Sequence, residues 1–252
     1  EPAKNIILPQ SYRVPQAVQQ IADQILNRIP DNRRIKKQWA SRPEGGSVDH
    51  VTSIEDVPLH QSDWLILART NDKLIKLKSI LKEMAIYFEI KDRKSYKTRL
   101  YTAVKHYTRW TKGDKLSLSE CKDLFEYLEL DQELKEERMY DLQEFGYKTT
   151  DEWYEVFKSD PEECLYIREM LRNKEELSHP ARVKLSTIHS AKGGEATNVL
   201  LILDNTRKIR EAVDKSEDKH DEEHRVWYVG VTRTKQNLYI MTPKREDRSY
   251  DI

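Results

Sequence analysis

The stretch Thr187-Ile188-His189-Ser190-Ala191-Lys192-Gly193-Gly194-Glu195 sets a hydroxyl, an imidazole, an ammonium and a carboxylate around a pair of glycines. Paired glycines allow positive φ and close backbone approach to a partner. Gly-Gly alone is more often a plain turn; within the pattern Thr-x-His-x-x-Lys-Gly-x-Glu it points to a site. A second constellation, Glu222-Glu223-His224-Arg225-Val226-Trp227-Tyr228-Val229-Gly230-Val231-Thr232-Arg233, lies downstream. Its last residue has two readings. Arg233 can cap the final carbonyls of a helix. It can also present a permanently charged fork to a transferring phosphoryl group, whose charge sits on peripheral oxygens. Near the start, Leu8-Pro9-Gln10-Ser11-Tyr12-Arg13 places an aromatic beside a guanidinium. Taken alone, that pair reads as core packing for Tyr12 and a surface ion pair for Arg13. In Ala68-Arg69-Thr70-Asn71, Asn71 can cap a following helix or contact a ligand.

These residues need a scaffold. Val14, Val18, Ile21, Ala22, Ile25, Leu26 and Ile29 recur at spacings of three and four, one face of an amphipathic helix with Pro15 in its first turn. Residues 48–53, 63–69 and 87–90 read as strands, with a helix over 72–84 between the last two. Strand, helix, strand at this spacing predicts a βαβ unit of a parallel sheet. Residues 91–180 change texture to Glu, Lys, Tyr and Leu, with helices expected at 96–110, 117–128, 150–158 and 161–175. Asp160-Pro161-Glu162-Glu163 is a helix start with an Asp cap and acids in the first turn. Strands return at 183–188, 198–203 and 237–241, with a helix at 220–232. Glu222 and Arg225, three apart, are expected to pair on that helix. The charged run Lys208 to His220 reads as an exposed, mobile connection. The chain is thus an α/β domain over 1–90 and 181–252, interrupted by an all-helical insertion at 91–180.

The 252 residues are 37% hydrophobic and 35% charged, with 44 Lys and Arg against 44 Asp and Glu. At zero formal net charge, attraction to phosphate has to come from local placement. Cys121 and Cys164 form no metal-binding spacing and read as two reduced intracellular thiols. No apolar run approaches a membrane span. The chain reads as cytoplasmic, and its start at Glu1 without Met suggests a fragment.

The glycine loop and the Thr-Arg helix resemble motifs V and VI of UvrD/PcrA/Rep-like superfamily 1 DNA helicases. Ser11-Tyr12-Arg13 resembles motif IV, usually Asn-Tyr-Arg-Ser, and Arg69-Thr70-Asn71 an Arg-Thr-Asn turn of the same family. The resemblance covers 1–90 and 181–252. It implies a C-terminal, second motor domain: a RecA-like parallel sheet flanked by helices, related to phosphate-loop NTPases, with the insertion as accessory subdomain. ATP and Mg²⁺ are the implied cofactors. By family analogy Tyr12 stacks on adenine, Arg13 and Arg233 reach the γ-phosphate as catalytic arginines, and Glu195 holds the ribose beside Gly193. Asn71, Thr187 and His189 map to the single-stranded DNA track. Implied partners are single-stranded DNA, duplex junctions and an N-terminal motor domain in the same chain. Ser11, Val14, Gly194 and Thr234 depart from the usual Asn, Ser, Leu or Met, and Ala. The family's Phe-Pro-His element is not recognisable.

No Gly-x-x-x-x-Gly-Lys-Ser/Thr phosphate loop occurs, and no Asp-Glu pair follows a buried strand. The resemblance assigns those parts, with the Mg²⁺ ligands, to the N-terminal domain, so this chain alone should hydrolyse ATP negligibly. Two other readings stay open: the motor piece of a helicase-nuclease, and a non-catalytic interaction domain that keeps the fold.

Overall fold

Five consecutive apolar residues, Trp64 to Ala68, are all buried, as a strand covered by helices on both faces requires. The structure, a computed structural model, describes residues 10–35, 39–43, 45–128, 134, 137–146, 150–191, 193–243 and 249–252. Leu8, Pro9 and Lys192 of the sequence motifs lie outside them. In chain order the elements are β1 (Gln10–Pro15), α1 (Gln16–Asn27), β2 (Ala40–Arg42), β3 (Ser47–Val51), β4 (Trp64–Ala68), α2 (Asn71–Glu83), β5 (Phe88–Ile90) and β6 (Arg93–Lys94). Then follow α3 (Thr98–Thr111), α4 (Leu118–Leu128), α5 (Trp153–Val156), α6 (Pro161–Arg172), β7 (Val183–Thr187), β8 (Ala196–Ile202), α7 (Arg207–Lys215), α8 (Glu217–Val231) and β9 (Thr234–Met241).

The chain divides into two compact units. One comprises Glu1–Ile80, Phe88–Asp92 and Arg182–Ile252; the other comprises Leu81–Tyr87 and Arg93–Ala181. The first is a mixed α/β unit whose sheet runs β3-β9-β8-β4-β7-β5, with every one of these pairings parallel. β4 and β5 are parallel, as the βαβ reading requires, but they are not neighbours. β7 stands between them, pairing Val183 with both Trp64 and Phe88. On one face, Val18, Ala22 and Ile25 of α1 share a core with Trp227 and Val231 of α8 and with Val199, Leu201, Leu238 and Ile240 of the sheet. Each fully buried Val, Leu or Ile among them contributes about 1.5–3 kcal/mol. Pro15 sits one position before α1 rather than in its first turn, and no side chain caps that helix.

The run Lys208 to His220 is not a loose connection. It forms α7 and the first turn of α8. Thr206 caps α7 by accepting from the Ile209 amide at 3.3 Å. Half-buried Ile209, Ala212 and Val213 make the narrow stripe by which α7 rests on α8.

In the second unit α3, α4 and α6 enclose an aromatic core that includes Tyr107, Trp110, Phe125, Trp153 and Phe157. Asp160 caps α6 by accepting from the Glu162 amide at 3.1 Å, with Pro161 at the first helical position. The helix expected over 150–158 is only the single turn of α5. Cys121 and Cys164 are both buried and free.

Candidate functional site

Two clusters form at opposite edges of the parallel sheet. The first lies at the amino edge. Glu195 immediately precedes β8 and Arg233 immediately precedes β9, and the Ala196 amide donates to the Arg233 carbonyl at 3.2 Å. Arg233 Nε donates to the Val229 carbonyl at 3.1 Å, and its Nη1 reaches the Gly194 carbonyl at 3.4 Å. The first bond caps α8, as one reading of the sequence expects. It leaves Nη2 without an acceptor among the described residues. From β1, Arg13 Nη1 donates to Glu195 Oε2 at 3.0 Å, while its Nε is buried without a partner. Lys235 Nζ meets Glu195 Oε1 at 2.8 Å.

Arg13 and Lys235 therefore grip one carboxylate, with Arg233 on the adjacent Gly194 carbonyl, in a chain of zero net charge. Lys235, then Arg13, holds the Glu195 carboxyl below its ordinary value. Burial, then the charge of Arg13, pulls Arg233 below the usual guanidinium value. Both arginines, far apart in sequence, bond to the Gly194-Glu195 segment. Surplus positive charge with an unsatisfied buried N–H suits a polyphosphate. Beside it Tyr12 is 86% exposed, so its ring is spent on no packing. Gly193 has φ +93° with open space where a side chain would go, so the backbone conformation alone demands glycine there. Gly194 carries no such strain.

The second cluster lies at the carboxyl edge, where Ala68 of β4 pairs with Thr187 of β7. Exposed Asn71 opens α2, one residue before the predicted start. Exposed His189 follows β7. The Thr187 hydroxyl is buried and engaged within its own turn: it donates to Ser190 Oγ at 3.0 Å and accepts from the Ser190 amide at 3.2 Å. It shapes the turn that presents Ser190 and His189. The connection from Ile188 to Glu195 is too short to hold a crossover helix, so it crosses the sheet directly and joins the two clusters.

A model of the UvrD-like helicase C-terminal domain family matches residues 94–245. The chain belongs to that family. The match covers Thr187, His189, Gly193, Glu195 and Arg233, whereas Tyr12, Arg13 and Asn71 precede it. No curated protein matches the chain. One similar solved structure is the C-terminal domain of a possible DNA helicase from Lactobacillus plantarum WCFS1. It shares 13% identity, covers 92% of this chain and 88% of that one, and has a TM-score of 0.27.

In this UvrD-like domain the structure adds residues that the motifs did not single out. Lys235, two positions beyond the Thr-Arg pair, completes the ring around Glu195. Glu223, 4% exposed, accepts from Arg69 Nε at 3.0 Å to each oxygen and from Arg69 Nη2 at 2.8 Å. Trp227 Nε1 donates to the same carboxylate at 2.7 Å. Arg69 Nη1 lies 3.4 Å from His189 Nδ1. The expected Glu222–Arg225 pair is not made. Glu222 meets Lys219 at 2.6 Å, and Arg225 Nη2 donates to the Arg33 carbonyl at 2.8 Å. Arg225 finds the carbonyl because α8 packs beside the turn that follows α1. A cleft lined by Arg69, Ile209, Val213, Lys219 and Glu222 opens beside this carboxyl-edge cluster. Among the described residues no group of three or more His, Cys, Asp or Glu could hold a metal ion. No helix among them is long and apolar enough to cross a membrane.

Proposed function

We propose that this domain is the second motor half of an ATP-dependent DNA helicase or translocase, acting with a phosphate-loop domain that supplies the Mg²⁺ ligands. The observation that carries the reading is the convergence of Arg13 and Arg233 on the Gly194-Glu195 segment. ATP, when bound, supplies a γ-phosphate whose charge distinguishes the state before hydrolysis from the state after it. Arg13 and Arg233 sense that charge as the catalytic arginines. Glu195 positions the ribose, the Gly193 turn allows close approach, and Tyr12 stacks on the base. Arg13 and Lys235 keep Glu195 ionised as an acceptor. At the opposite edge Asn71, His189 and the turn held by Thr187 contact the backbone of single-stranded DNA without reading bases.

The test uses the protein that contains both motor domains. Arg233→Ala should lower DNA-stimulated ATP hydrolysis by about 1,000-fold or more, the low end for loss of an arginine finger. Turnover close to wild type removes the assigned role.

A further inference from the structure

We infer that the Arg69–Glu223 pair is a positioning element that couples the nucleotide edge of the domain to its DNA edge through α8. The inference rests on the function proposed above and names how its two sites communicate.

The geometry begins with α8, which spans the distance between the clusters. Glu223 lies near its middle, and Arg233 follows its last turn. The nine helical residues from Glu223 to Val231 cover about 13 Å, and the Thr232-Arg233 turn adds to this, against the ~17 Å length of a five-residue strand such as β4. At the nucleotide end the Arg233 guanidinium is fastened to the helix itself through the Val229 carbonyl. Anything that pulls on Arg233 therefore pulls on α8. At the other end Glu223 grips Arg69 through three hydrogen bonds of 2.8–3.0 Å and is itself steadied by the Trp227 indole. Arg69 is the residue that follows β4, two before Asn71, and its free edge abuts His189. One carboxylate on the nucleotide-sensing helix thus holds the turn that leads to Asn71 and, through Arg69, reaches His189 on the turn after β7.

Glycine at position 230 lets α8 lie close on the sheet. A Cβ there would stand 3.1 Å from Leu201 Cδ1 and 3.4 Å from Ile188 Cδ1. Ile188 opens the direct connection between the edges, so the helix and that connection move as packed neighbours. A buried ion pair is seldom the most stabilising choice, since apolar residues of equal volume often do as well or better. What the pair offers here is direction. A bidentate fork transmits displacement and orientation, which an apolar contact that can slide does not.

The test uses the two-domain protein and an oligothymidylate. The dissociation constant for the strand is measured without nucleotide and with a non-hydrolysable ATP analogue. Wild type should show a nucleotide-dependent change, and Arg233→Ala should abolish it. Glu223→Gln keeps the volume and an acceptor for Trp227 but loses the charge. It should leave nucleotide-free strand affinity within about 2-fold and the KM for ATP unchanged, while shrinking the nucleotide-dependent change at least about 10-fold and lowering DNA-stimulated kcat. Arg69→Met combined with Glu223→Leu removes both charges together, so neither is stranded, and should show the same loss if the single variant fails to fold. A folded variant of either kind that keeps the full nucleotide-dependent change overturns the inference. If wild type shows no such change, or Arg233→Ala retains it, the functional reading itself falls first.

Discussion

Gly46 offers a stringent test of how Arg13 is placed. It precedes β3 and has φ +92°. A Cβ at this position would stand 2.3 Å from Pro15 Cβ, 2.5 Å from Pro15 Cγ and 3.0 Å from the Gln236 carbonyl. None of these atoms is the free end of a flexible side chain. Pro15 is a buried ring at the end of β1, directly before α1, and the third atom is backbone of β9. Gly46→Ala should therefore carry two costs: about 1–3 kcal/mol for the backbone region and a further ~1–3 kcal/mol for overpacking. Gly193→Ala isolates the first, because its φ is +93° and nothing lies within 4 Å of the added carbon. By thermal unfolding the Gly46 variant should melt about 2–12 °C below the Gly193 variant. Displacement of Pro15 should also shift Arg13, two residues earlier, so the two-domain protein should lose ATP turnover as well as stability. If the two alanine variants melt together, the close packing of Pro15 on Gly46 is not what holds β1 in place.

Two further outcomes can be measured on this chain directly. His224 is buried, and burial, then the charges of His220 and Arg28, pulls its pKa down to about 4, with Asp221 and Glu223 opposing. The folded state keeps the imidazole neutral while the unfolded chain protonates near its ordinary value. Stability should be flat above about pH 6.5 and fall towards pH 4 by an amount of the order of 3 kcal/mol. Urea unfolding across that range should show the slope in wild type and its loss in His224→Gln. Burial pushes the Cys121 thiol up to about 11, so iodoacetamide at pH 8 should leave it unmodified in the folded protein and alkylate it in urea. Rapid native labelling of Cys121 would contradict its burial.

The strands were legible because burial on both faces demands apolar runs: 63–69 and 198–203 mark β4 and β8 within a few residues. Local chemistry also showed. Asp160-Pro161 starts α6 through bonds made within one turn. What stayed hidden depends on distant residues or weak periodicity. The apolar stripe of α7 is three residues among charges, and only the Thr206 cap signals a helix start. Arg69 and Glu223 lie on different elements, so neither residue type nor spacing announces their contact. The slot taken by β7 is likewise a long-range choice, since its alternating burial suits several positions in a parallel sheet. Arg13, Glu195 and Arg233 were nominated from separate stretches, and the fold brings all three to one edge.

The placement of β7 and β8 on either side of β4 has a consequence for biosynthesis. β4 is entirely apolar, and both of its hydrogen-bonding partners come from beyond the second unit. While a ribosome is still making that unit, Trp64 to Ala68 has neither neighbour to pair with. An unpaired apolar strand is a template for wrong association. Folding of the first unit therefore waits on its final segment, Arg182–Ile252, and a chain halted before Ile202 should be a client for chaperones rather than a smaller version of the native protein.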